Sequence, residues 1–118
     1  MIVVATDAPL GSRSLQRLAR RALSGMARTG ASFSNGSGDY VIAFSTAEEL
    51  RVRPGAARTG AATVANARMT PLFRAVAEAT EEAIVDSLCA AVTTTSRGVT
   101  VPALPLDAVR EALRAAGR

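Results

Sequence analysis

MIVVATDAPL, residues 1–10, decides how the chain is organised. Ile2, Val3 and Val4 are β-branched, the first five residues are all apolar, and the run predicts a strand over residues 2–5 that is covered on both faces. Thr6, Asp7, Ala8 and Pro9 end it, because Pro9 has no ladder donor and biases Ala8 away from the helical region. Chain ends are ordinarily frayed and solvated. A first residue already inside a buried strand therefore carries the expectation that a segment has been removed ahead of Met1.

Outward from that strand, Leu15, Leu18, Ala22 and Met26 recur at helical spacing, with Ser12 or Ser14 in place to cap the helix. Arg13, Arg17, Arg20, Arg21 and Arg28 fall mostly off the apolar face and read as a solvated surface. Thr29 and Gly30 follow, then SNGSGD, residues 34–39. Its two closely spaced glycines permit positive φ and let another group approach the main chain. By pattern alone this is first an ordinary connection; the alternative is a loop that places Ser37 and Asp39 at the mouth of the strand that follows, residues 40–44.

Residues 46–68 carry no sustained period. Arg51, Arg53, Pro54, Gly55 and Gly60 make them a long loop, uncommon inside a compact domain unless functional or braced from outside. Thr70 and Pro71 then supply a cap and a first helical position. In the helix beyond, Leu72, Phe73, Val76, Ala79, Ala83, Ile84, Leu88 and Ala91 form one broad face, and Glu78, Glu81, Glu82 and Asp86 another, read as solvated rather than metal-binding. A β-branched, turn-rich stretch ends it. A last helix is expected to turn Leu106, Val109 and Leu113 inward and to stop at Gly117.

Composition narrows the chemistry. The 118 residues amount to one domain or a piece of one, and 48% apolar content suits a packed core. The net charge of +4 comes with Arg alone and no Lys, and the few aromatics do not interleave with it, so no nucleic-acid partner is expected. Without His, the chain by itself builds no Ser-His-Asp triad, Cys-His pair or His-ligated zinc site. Cys89, flanked by Leu88, Ala90 and Ala91, reads as a buried core position. No apolar run has the length of a membrane span and residues 1–5 are no signal peptide, so a cytoplasmic protein without membrane contact is expected.

Two apolar strands and two or three helices do not close a sheet. The strands must find neighbours on another chain or a second copy, and together with the abrupt apolar beginning this carries the expectation that the chain is one half of a cleaved protein. MIVVATDAPL, LARRALSGMARTG, NGSGDYVIAFST, MTPLFRAVAEATEEAI and VPALP, in this order, resemble the C-terminal β chain of the L-aminopeptidase D-Ala-esterase/amidase (DmpA) family over nearly all residues 1–118. The resemblance implies an α/β fold, an αββα sandwich of the N-terminal-nucleophile kind, with this chain the β subunit that completes its sheets with an α subunit from the same precursor. It also implies a self-cleaving amide hydrolase without cofactor or metal, in an oligomer of αβ units.

The family's nucleophile is a Ser or Thr at the head of the first strand. Met1 has no hydroxyl, so the resemblance puts the nucleophile immediately before Met1; a genuine Met start would leave the polypeptide inactive. The family's serine and acid map onto Ser37 and Asp39 as catalytic residues around that nucleophile, with Asn35, Gly36 and Gly38 forming the substrate-side loop. Several relatives carry Glu at the second place, and Asp39 is one methylene shorter. Within the family the likeness leans to pantetheine hydrolysis in carbapenem antibiotic biosynthesis, releasing cysteamine or a derivative. The alternatives are an aminopeptidase or esterase acting on short peptides, β-peptides or amino-acid amides, and a non-catalytic partner subunit.

Overall fold

The structure, a computed structural model, describes residues 1–52, 54–55 and 63–118. Arg53 and Gly60, on which the long-loop expectation drew, lie outside the described residues. Within the described part of 46–68, Ala47 is buried and two short 3₁₀ turns form at Glu48–Leu50 and Asn66–Arg68. The chain divides into two compact units, Met1–Glu82 and Ala83–Arg118.

In the first unit, strand β1 (Ile2–Thr6) pairs in parallel with β2 (Val41–Ser45), in a register that runs from Ile2 opposite Val41 to Thr6 opposite Ser45. Parallel neighbours need a crossover rather than a tight hairpin, and helix α1 (Ser12–Arg28) supplies it. Both strands alternate in burial along their length. On the covered face Ile2, Val4 and Val41 pack against a core of Leu10, Leu18, Ala22, Met69 and Val76. On the opposite face Val3, Ile42 and Phe44 remain 62%, 52% and 44% exposed. The expectation of strands covered on both faces is thus met on one face only. Two strands and the helices beside them form one sheet layer and one helix layer, with nothing left in this unit for a third.

Helix α1 begins differently from the capping expected of Ser12 or Ser14. Gly11 is the N-cap, in extended conformation and without a side-chain cap, and its carbonyl accepts from the amides of Ser14 and Leu15 at 3.0 Å each. The helix ends where the sequence says it should. Thr29 donates its hydroxyl to the Met26 carbonyl at 2.8 Å, and Gly30, at φ +93°, takes the left-handed position that closes many helices. Its buried stripe is Leu18, Ala22 and Gly25, with Met26 only half-buried.

Gly25 sets the packing of helix α2 (Met69–Ala90). A Cβ there would stand 2.2 Å from the Ala77 carbonyl oxygen and 2.8 Å from Thr80 Cβ, so the two helices meet backbone to backbone. This rotates the buried stripe of α2 onto Met69, Val76, Ala77 and Thr80 and leaves Ala79 and Ala83, expected to face inward, exposed. Thr80 is accommodated because its hydroxyl donates to the Val76 carbonyl at 2.7 Å. Two of the arginines are more than solvated: Arg17 and Arg21 place their guanidinium carbons 4.9 and 5.0 Å from the Phe73 ring centroid.

The second unit holds the end of α2, an antiparallel hairpin of β3 (Thr94–Ser96) and β4 (Val99–Val101), and helix α3 (Leu106–Ala115). Arg97 and Gly98 turn the hairpin with φ of +50° and +78°, the geometry of a two-residue primed turn. Thr95 and Thr100 share a hydrogen bond of 2.9 Å across it. No residue of this unit is buried. Cys89, Leu88 and Leu113 are exposed, against the inward placement expected of them, because this unit has no second layer for them to pack on. No helix among the described residues is long and apolar enough to cross a membrane.

Candidate active site

Parallel pairing brings the start of β1 and the start of β2 to the same end of the sheet. The amide of Ile2 donates to the Tyr40 carbonyl at 2.9 Å, which sets Met1 beside the segment leading into β2. That segment is the expected NGSGD loop. The Ser37 amide donates to the Ser34 carbonyl at 2.9 Å, closing a turn in which Gly36 sits at φ +94°, a conformation that an L side chain strains. Asn35 and Gly36 occupy the exposed tip of the turn.

Beyond the turn, the Ser37 hydroxyl donates to Asp39 Oδ2 at 2.7 Å. Both residues sit at the strand head, Asp39 half-buried and Ser37 exposed. A serine whose proton is committed to a carboxylate has its oxygen lone pairs free, so it can accept a proton or hydrogen bond from a third group while the carboxylate balances the charge. The two candidate residues are therefore in contact, at the same end of the sheet as Met1, which is 84% exposed. Gly38 lies between them under the Tyr40 ring: a Cβ on Gly38 would come within 3.2 Å of Tyr40 Cε2. Among the described residues no group of three His, Cys, Asp or Glu is placed to hold a metal ion.

The opposite end of the sheet is braced by residues that sequence patterns leave without a role. Thr46 donates its amide to the Thr6 carbonyl at 2.8 Å, and the Ser45 hydroxyl donates to the Ala8 carbonyl at 2.7 Å while accepting from the Ala47 amide at 3.1 Å. Thr6 Oγ1 in turn accepts from the Ala8 amide at 3.2 Å. The ATDAPL and FST segments thus hold each other and support the strand register that brings the loop of Ser37 and Asp39 to the same end of the sheet as Met1. Tyr40, which the apolar run places in the second strand, stands just ahead of β2. Its place directly after Asp39 is the sequence feature that sets it apart from the apolar strand residues.

The chain is similar along almost its whole length to known proteins. It is 44% identical over 115 residues, 97% of its length, to the beta-peptidyl aminopeptidase BapA of Sphingosinicella microcystinivorans, and 38% identical to the enzyme of that name from Sphingosinicella xenopeptidilytica. It spans 29% of the length of each of these relatives. Among solved structures it resembles a protein of Pyrococcus horikoshii (TM-score 0.91, 42% identity, 99% of this chain and 33% of that one). It also resembles a Burkholderia beta-aminopeptidase (TM-score 0.82, 39% identity, 98% and 35%). The L-aminopeptidase D-Ala-esterase/amidase of Ochrobactrum anthropi, described as a variant of the Ntn hydrolase fold, gives a TM-score of 0.85 at 35% identity, covering 99% of this chain and 34% of that one. The fold of this chain is accordingly that of part of a DmpA-type Ntn hydrolase. Residues 1–101 match Peptidase family S58, and the chain belongs to that family.

Proposed function

We propose that this chain is the β subunit of a self-cleaving amide hydrolase, an aminopeptidase that releases N-terminal residues from short peptides, β-peptides or amino-acid amides. The observation that carries it is the 2.7 Å hydrogen bond from Ser37 to Asp39 at the head of the β1–β2 pair, in a chain of Peptidase family S58. The relatives named as aminopeptidases favour this substrate class. The pantetheine expectation, drawn from resemblance alone, gains no support from them and gives way to the aminopeptidase alternative.

In this reading the nucleophile is a Ser or Thr hydroxyl at the head of β1, beside Met1, with its own α-amine as base. An α-amino group has a reference pKa of about 7.7–8.0, so a useful share is neutral near pH 7 and no His is required. The hydroxyl oxygen attacks the amide carbonyl and its proton passes to the α-amine. That proton then goes to the departing amine nitrogen as the C–N bond breaks, leaving an ester. Water hydrolyses the ester by the same proton route, returning the hydroxyl. Ser37 and Asp39 hold the hydrogen-bond network around the α-amine and hydroxyl. The open apolar sheet face of Val3, Ile42 and Phe44 is consistent with a second sheet from an α subunit.

Intact-mass analysis of the mature protein, together with turnover of β-homoalanine p-nitroanilide, L-alanine amide and pantetheine, tests the proposal. A mature chain with Ser or Thr ahead of Met1 and preferential turnover of the aminoacyl compounds is expected. A mature chain without that hydroxyl residue, or turnover of pantetheine alone, sinks it.

A further inference from the structure

Tyr40 is 68% exposed, contributes nothing to the core, and yet is held in place. Its carbonyl accepts from the Ile2 amide at 2.9 Å, so its backbone is part of the strand pairing at the reacting end of the sheet. Its ring folds back over Gly38, where an added Cβ would meet Cε2 at 3.2 Å and the phenol oxygen at 3.9 Å. The ring therefore stands against the bare backbone between Ser37 and Asp39, the two residues joined at 2.7 Å. Small-molecule sites pair a few placed polar groups with apolar and aromatic walls, and an aromatic ring offers a large apolar surface at low conformational cost.

We infer that Tyr40 is a specificity-determining residue, its ring forming one wall of the substrate site and favouring substrates with a bulky apolar side chain beside the scissile amide. The inference rests on the amide-hydrolase reading of Ser37 and Asp39. It differs from a packing role, because a ring that only supported the loop would affect all substrates alike. It also differs from a partner contact, because a ring buried under another subunit would govern assembly rather than substrate choice.

Tyr40→Ala and Tyr40→Phe are made in the complete mature protein. Their kcat and KM are measured with L-alanine and L-phenylalanine p-nitroanilides and with the β-homologues of both, and Ser37→Ala is run in parallel. Removing an apolar wall should raise KM for the phenylalanyl compounds about tenfold while leaving the alanyl compounds within about twofold. Tyr40→Phe should match the unmodified protein. If Tyr40→Ala does not mature, Tyr40→Leu replaces it and should raise the phenylalanyl KM in the same direction. Equal changes for both side-chain classes or a change confined to kcat, in whichever variant matures, or failure of both Tyr40→Ala and Tyr40→Leu to assemble, would overturn the inference. Full activity in Ser37→Ala, or no turnover of any of these compounds by the unmodified protein, overturns the amide-hydrolase reading and Tyr40 with it. A disabled Ser37→Ala beside an indifferent Tyr40→Ala defeats the Tyr40 inference alone.

Discussion

Ser37 and Asp39, proposed above to surround the nucleophile, meet within one short loop. Either residue alone is a common surface residue; in this loop the Ser37 hydroxyl reaches the Asp39 carboxylate at 2.7 Å. Two substitutions separate the parts of this contact. Ser37→Ala deletes the hydroxyl and should lower kcat about 100-fold or more, within the range by which positioned proton-transfer groups act. Asp39→Asn keeps an oxygen that accepts from Ser37 but removes the charge. Its kcat should therefore fall less, by about tenfold, if the hydrogen bond matters more than the negative charge. Steady-state kinetics on both mature variants measure the order, and a larger loss in Asp39→Asn would reverse it. At this scale the sequence was informative in part: the glycines of residues 34–39 permit a special turn although the pattern alone reads first as an ordinary connection, and the resemblance supplied the expected roles of Ser37 and Asp39 around the nucleophile. What pattern could not supply was the distance, since two small polar residues two positions apart read equally as an idle turn.

At the scale of elements, the least legible residue is Gly25. Inside a helix, glycine reads only as a weak helix former, and the expected apolar stripe ran through Met26 instead. Its reason lies in another element, the Ala77 carbonyl on α2, which a Cβ at position 25 would approach to 2.2 Å. Gly25→Ala should consequently destabilise the protein by about 1–3 kcal/mol despite the better helix propensity of alanine, because the obstacle is backbone that cannot rotate away. Thermal unfolding of the assembled protein checks the sign, and a raised Tm would show that the helices can part without loss. The same shift in packing explains why the inward face expected of α2 was misplaced, with Thr80 buried and Ala79 exposed. A second prediction belongs to the brace between the strand ends. Ser45→Ala leaves the part-buried Ala8 carbonyl and Ala47 amide without their shared partner, at a cost of about 1–3 kcal/mol. Ser45→Cys, which keeps a weaker donor of similar size, should recover part of that loss in the same unfolding measurement.

For the molecule as a whole, the strands were legible as apolar and the missing layer as a consequence, but which face lacked its cover was not. An unbroken apolar run says that both faces are dry, while burial alternates here because this chain supplies helices to one face only. Val3 and Ile42 lie opposite each other in the register, with Phe44 two residues on, so the open face is a continuous apolar strip. Covering the remaining half of each of these side chains is worth about 0.7–1.5 kcal/mol, which together make the strip a source of affinity for a second sheet. Its centre is the place to test the proposed αβ assembly. Ile42→Lys changes no residue of the Ser37–Asp39 contact, yet it places a charge where the partner's apolar side chains would close over it, and a buried unpaired charge is penalised far beyond the lost methylenes. The variant should fail to co-purify with its α subunit and should lose maturation and turnover together, whereas Ile42→Val should retain both. Arg20→Ala, on the exposed side of α1, controls for the effect of changing a charge as such. If Ile42→Lys assembles and turns over substrate like the unmodified protein, the strip faces water in the working enzyme, and the sheet completes itself elsewhere.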